Sequence, residues 1–174
     1  MKIIFLTIIL FVSTASNAAA QTEKCDLPLN AAPVLLNLKL GMSPTETRAA
    51  FGGKLKVKVK KEGTFFQNYI DKKPPPFLQG VRALYLRFFE RKLYQIEIFY
   101  EPQNKLQTLS EFISQLSSQL NLPPNLWTTQ YGKAAINCTD FSIVADNVLN
   151  PRVELTDEAI RARFEAAQES KKKK

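Results

Sequence analysis

The chain has 174 residues, with no histidine, two cysteines and 24 basic against 16 acidic side chains, a formal charge of +8. Without an imidazole, Ser-His-Asp and Cys-His nucleophile arrangements are excluded, together with the commonest general base and the usual nitrogen ligands for metals. No segment after the N-terminus approaches the ~18 apolar residues of a bilayer span, so no transmembrane anchor is expected.

Residues 1–20 read as a secretory signal peptide. Lys2 supplies a positive start, Ile3 to Val12 a short apolar run, and Ala18-Ala19-Ala20 a small-residue cleavage site. Export to a periplasmic or extracellular space is therefore expected, leaving a single domain over 21–170 and a basic tail over 171–174. The signal segment carries only one charge, Lys2, so the remainder is still basic, and Lys171 to Lys174 account for much of the excess. The exported compartment is oxidising, and Cys25 and Cys138 are expected to form a disulfide. Closing so long a loop stabilises by about 4–5 kcal/mol in the chain-entropy model. Thr22-Glu23-Lys24 precedes Cys25 where a lipidation box would stand, so no lipid anchor is expected.

Leu36, Leu38 and Leu40 alternate with polar residues and lead into Gly41-Met42-Ser43-Pro44-Thr45-Glu46. Ser43 is placed to cap a helix, Pro44 to occupy its first position and Glu46 to complete a capping box, while Gly52-Gly53 ends it. Lys54 to Lys61 then alternate strictly between lysine and apolar residues, the signature of a half-buried strand. Thr64 to Ile70 read as a strand, and Lys72-Lys73-Pro74-Pro75-Pro76 as an extended loop.

Val81 to Phe89 and Leu93 to Tyr100 read as paired strands. A three-residue connection, Glu90-Arg91-Lys92, would set Leu84, Leu86 and Phe88 opposite Ile98, Ile96 and Tyr94, with Tyr85, Arg87, Gln95 and Glu97 on the wetter face. Thr108-Leu109-Ser110-Glu111 is a second capping box, followed by an amphipathic helix carrying Leu109, Phe112, Ile113, Leu116 and Leu120 and ending near Asn121. Ala134 to Ala145 are expected to form one strand, Arg152 to Leu155 a short one, and Asp157 to Glu169 a final helix; Trp127, Tyr131, Phe141 and Ile143 are expected in the core. This order predicts an α+β fold, an antiparallel sheet of about four to six strands with two to three helices packed mainly on one face.

The run Leu38-x-Leu40-Gly41-Met42-Ser43-x-x-Glu46, closing on Phe51-Gly52 and followed by a meander of strands, resembles the entry to domains of the small outer-membrane-assembly lipoproteins and of β-lactamase-inhibitor proteins. The resemblance covers about fifteen residues of helix entry. It implies an exported helix-plus-antiparallel-sheet module that works by binding other proteins. The chain departs from the first family in lacking a lipidation cysteine and from the second in lacking a tandem repeat.

Candidate functional groups are few. Lys54, Lys56, Lys58 and Lys60, with Lys72, Lys73 and the neighbouring Phe65, Phe66 and Tyr69, have the composition of a surface for anionic polymers or membranes; lysines on an edge strand also serve to prevent aggregation. Asp140 and Asp146 flank a strand end and could pair as carboxylates, but two acids six residues apart read first as solvated turn residues, and no catalytic residue is expected. No cofactor, metal or nucleic acid is expected. The sequence therefore favours an exported, non-catalytic protein-binding or scaffold module with another envelope or extracellular protein as partner. A binder of anionic polymer or membrane surface comes second, and a histidine-free enzyme third.

Overall fold

The computed structural model describes residues 25–53, 63–70, 73–102, 108–148 and 150–173. The expected signal peptide, the lysine strand Lys54 to Lys61, Lys72 and Lys174 lie outside them. Helix α1 (Pro44–Ala50) starts on the predicted capping box: the Ser43 N–H donates to Glu46 Oε2 at 2.7 Å and the Glu46 N–H to Ser43 Oγ at 3.2 Å. Leu36, Leu38 and Leu40 do not form a strand. Leu36 and Asn37 both take positive φ, 53° and 64°, folding Leu38 back to bridge Leu35. The segment then joins the sheet, with the Gly41 N–H donating to the Leu93 carbonyl at 2.7 Å and the Leu93 N–H to the Met42 carbonyl at 2.8 Å.

The sheet is larger than expected. Its seven strands are β1 (Gly63–Asn68), β2 (Val81–Phe89), β3 (Lys92–Tyr100), β4 (Thr128–Gln130), β5 (Lys133–Asn137), β6 (Phe141–Asp146) and β7 (Arg152–Asp157), in the order β1-β2-β3-β7-β6-β5-β4. Every pairing is antiparallel. The single strand expected over Ala134 to Ala145 is a hairpin instead, because the Cys138 N–H turns back to the Phe141 carbonyl at 2.9 Å.

Leu84 pairs with Ile98 and Leu86 with Ile96 as expected, but the turn between β2 and β3 has two residues, Glu90 and Arg91, at φ 48° and 64°. Phe88 pairs with Leu93 rather than Tyr94. Tyr94 is an extra residue on β3, a bulge that restores the apolar register a two-residue turn would otherwise destroy.

Helix α2 (Leu109–Leu120) uses both bonds of its predicted capping box and ends on Asn121 in the left-handed region. It and α1 cover one face, where Phe51, Phe112 and Leu116 join Leu84, Leu86, Ile96, Ile98, Ile143 and Leu155 in the main core. Helix α3 (Glu158–Lys172) crosses the other face: Ile160, Phe164 and Ala167 pack with Phe89 and Tyr94 in a second cluster. Phe164 stands 5.6 Å from the rings of both Phe89 and Tyr94, contacts that add about 0.5–1.5 kcal/mol each beyond area burial. The expected basic tail is largely the last turn of α3, where Lys171 and Lys172 complement the helix dipole.

Cys25 and Cys138 are disulfide-bonded across 113 residues, with Cα atoms 4.4 Å apart. Beside them the Leu29 N–H donates to Asp140 Oδ2 at 3.2 Å, so the disulfide and this bond together hold the N-terminal segment to the β5–β6 turn. Phe141 and Ile143 are fully buried as expected, and Trp127 is half-buried with its Nε1–H donating to Ser117 Oγ at 2.8 Å. Tyr131 is the exception. It is 92% exposed at the β4–β5 turn, since a residue at φ 50° in a two-residue hairpin points away from both strands.

Candidate binding face

The period of two in a strand divides the sheet's residues between its faces, and the register assembles those opposite α1 and α2 into three rows. The row nearest the strand ends at Asn68, Tyr100 and Asp146 runs Asn68, Ala83, Phe99, Arg152, Asp146, Lys133, Gln130. The middle row runs Phe66, Tyr85, Glu97, Glu154, Val144, Ala135, Thr128. The third holds Arg87, Gln95, Thr156 and Ser142. Helix α3 reaches this last row, where the Ser142 hydroxyl donates to Glu158 and Gln95, Thr156 and Ser142 are buried. Among the described residues no helix covers the first two rows, whose side chains are exposed or half-buried except for the buried Ala83 and Glu97.

At their centre lies Arg152. Its Nη1 donates to Glu97 Oε1 at 2.7 Å, its Nε to Asp146 Oδ2 at 3.0 Å, and Glu154 Oε2 stands 3.8 Å from Nη1. Gln95 Nε2 donates to Glu154 Oε1 at 2.6 Å, which also accepts from Thr156 Oγ1 at 3.3 Å. Burial lowers the guanidinium's pKa, but the hydrogen bond to Glu97 and the charges of Asp146, Glu97 and Glu154 outweigh it, and the pKa rises above the ordinary arginine value. Three carboxylates around one guanidinium leave this cluster net negative in a chain that is otherwise basic.

Aromatic rings extend from the cluster toward β1. Arg152 Cζ lies 5.9 Å from the Phe99 centroid, Phe99 meets Tyr85 edge-on at 5.7 Å, and Tyr85 meets Phe66 at 4.3 Å. Two cavities adjoin along this line. One, of about 360 Å³, is lined by Phe99, Lys133, Asp146, Val148, Asn150 and Arg152. The other, of about 240 Å³, shares Phe99 and Asn150 and adds Phe66, Tyr85 and Arg82 among others. Phe66 is 49% and Val148 62% exposed, a large apolar commitment to solvent beside a formed groove.

The expected sites fare differently. Asp140 and Asp146 sit at opposite ends of β6, about 20 Å apart at ~3.3 Å per residue, and each has a structural partner, so they are not a carboxylate pair. Among the candidate lysines only Lys73 is described, and it is exposed. The aromatics assigned to the lysine surface do not share one: Tyr69 is buried, Phe65 joins the main core and Phe66 alone faces outward. The open face itself was partly legible, since Tyr85 and Glu97 were expected to share the face away from the core and do, although Glu97 and Gln95, expected to be wet, are both buried at 8% exposure. Phe99, Val148 and Arg152 were missed. The alternation Arg152-Val153-Glu154 was the available signal, because it puts two opposite charges on one strand face.

Among the described residues no group of three His, Cys, Asp or Glu side chains is arranged to hold a metal ion, and no helix is long and apolar enough to cross a membrane. Comparison with family models, curated proteins and solved structures finds no match to this chain.

Proposed function

We propose that the protein is an exported, non-catalytic module that binds another envelope or extracellular protein through the uncovered half of its sheet. The observation that carries this reading is the line Phe66, Tyr85, Phe99 and Arg152 on hydrogen-bonded strands, flanked by exposed Val148 and Tyr131. Rigid aromatic and arginine anchors around a groove are the side chains that dominate protein interfaces, because they bury large areas at small entropic cost. The disulfide supports export, being a bond that persists in oxidising compartments. The absence of histidine from the chain, and the engagement of Glu97, Asp146 and Glu154 with Arg152, favour binding over acid–base chemistry.

The test is site-specific photo-crosslinking in an envelope extract of the source organism, with the reactive group at Phe66, Tyr131 or Val148 and a control at Gln115 on the exposed side of α2. Capture of the same protein from the three face positions at low and high salt, and not from Gln115, is the expected result. Equal capture from Gln115, or capture that vanishes at high salt, overturns the reading; the latter returns attention to the lysine strand as an anionic-polymer surface.

A further inference from the structure

The side chains that line the two cavities differ in whether their charges are already spent. In the larger cavity Arg152 and Asp146 pair with each other, Nη2 to Oδ2 at 2.9 Å, and Arg152 is bonded further to Glu97. Lys133 lines the same cavity, is exposed, and makes no ion pair among the described residues. The smaller cavity has one charged side chain, Arg82, half-buried and likewise without an ion pair among the described residues. Arg82 owes its place to a bulge: the β2–β3 register passes from Val81 to Ala83, so Arg82 is an extra residue and lines the open face beside Ala83 and Tyr85. Glu97 and Glu154 line neither cavity; Glu97 is buried against Arg152, and Glu154 accepts from Gln95 and Thr156. Both unspent charges are therefore positive. Between them Phe99 borders both cavities and exposed Val148 the larger one, so the middle of the groove is apolar.

We propose that the groove takes an extended acidic segment of a partner protein, with one carboxylate at Lys133, a second about four residues away at Arg82, and an apolar side chain between them on Phe99. The inference rests on the protein-binding reading above and adds the partner's chemistry. The cavity centres are about three strand spacings apart, roughly 14 Å, which an extended chain covers in about four residues. Alternate residues of such a chain share one side, so the two acids and the apolar residue midway between them all face the groove. Each carboxylate meets a cation that has no counter-ion, whereas a partner lysine at either end would meet a like charge. Asn150 borders both cavities, and its side-chain amide, without a hydrogen bond among the described residues, can donate to and accept from the segment's backbone. The chain's net positive charge adds a longer-range attraction that salt screens.

The experiment follows backbone amide shifts of the isotopically labelled protein, purified after export, on titration with three capped five-residue peptides. Each has leucine in the middle and neutral spacers; the first and last residues are both glutamate, both glutamine or both lysine. The glutamate peptide is expected to shift the amides of Arg82, Phe99, Lys133 and Val148 and to bind most tightly. Lys133→Gln and Arg82→Gln should each weaken it about two- to fivefold, the effect of one exposed charge pair, and leave glutamine-peptide binding unchanged. Added salt should narrow the preference for glutamate over glutamine without abolishing binding, because the leucine contact persists. Preference for the lysine or glutamine peptide, or glutamate-peptide binding indifferent to both variants, overturns the acidic partner while leaving the face as a protein-binding surface. Silence of these amides with all three peptides overturns the inference, and the crosslinking experiment then decides the broader reading independently.

Discussion

Arg152 on β7 and Glu97 on β3 meet at 2.7 Å across neighbouring strands, and this pair anchors the charged cluster at the centre of the open face. Glu97 is 8% exposed, so its charge is tolerable only with a partner in place. Arg152→Ala is expected to destabilise the fold by about 2–4 kcal/mol, near the lower end for breaking a buried pair because the guanidinium is partly exposed. Adding Glu97→Gln should recover part of that loss by removing the stranded charge. Denaturant unfolding of the two single variants and the double variant checks this; additive losses would show that the pair is not coupled.

The disulfide acts through the unfolded chain. Because Cys25 and Cys138 are 113 residues apart, their bond removes many unfolded conformations. The paired change Cys25→Ala, Cys138→Ala is expected to cost about 2–5 kcal/mol, read from the denaturation midpoint under non-reducing conditions. A cost below about 1 kcal/mol would mean that the surrounding bonds, including Leu29 N–H to Asp140, already hold the N-terminal segment in place.

These two features also mark the limits of reading the sequence. The disulfide, both capping boxes and the Leu84–Ile98 and Leu86–Ile96 register were legible because each depends on local spacing or on simple apolar alternation. The β2–β3 turn was not, since Glu90 and Arg91 occupy positive-φ positions that asparagine and glycine usually fill, and the compensating bulge at Tyr94 leaves no local signature. The split of Ala134 to Ala145 was missed because both halves are strand-like and only the turn at Cys138 separates them. The open face was the least legible. It unites residues 66, 85, 99, 146 and 152 through strand order, and it is open only because α3 packs at one end of the sheet.

Tyr69 couples stability to alkaline pH. Burial pushes its phenol up to about 12 from an ordinary 10.0, and its hydroxyl has no hydrogen-bond partner among the described residues. The fold therefore favours the neutral phenol. This contribution is fully present below about pH 10 and is lost as pH rises towards 12. Tyr94 and Tyr100, also raised by burial, act in the same direction. Tyr69→Phe is expected to leave neutral-pH stability unchanged or raise it by about 1 kcal/mol, because an unpaired buried hydroxyl is removed. It should also flatten the decline between pH 10 and 12. Unfolding midpoints from pH 8 upward test both, and a marked loss at neutral pH would reveal a partner for the hydroxyl.

Tyr131 separates stability from binding. A bulky side chain at φ 50° carries a backbone cost of about 1–2 kcal/mol, yet at 92% exposure the ring gains almost nothing from the fold in return. Its neighbours in the turn, Gly132 and Lys133, border the larger cavity, Gly132 lying close to Val148 and Lys133 lining it, so the β4–β5 turn stands at the edge of the open face. Tyr131→Asn, which accepts the left-handed conformation more readily, is expected to stabilise the protein by about 0.5–1 kcal/mol. If Tyr131 is an interface anchor, the same change should lower partner capture at least several-fold, as truncating a buried tyrosine hot spot does. Thermal unfolding and quantitative crosslinking from Val148 measure the two effects on one variant. A gain in stability with undiminished capture would make the ring dispensable at the turn and shift the binding surface toward Phe66 and Phe99.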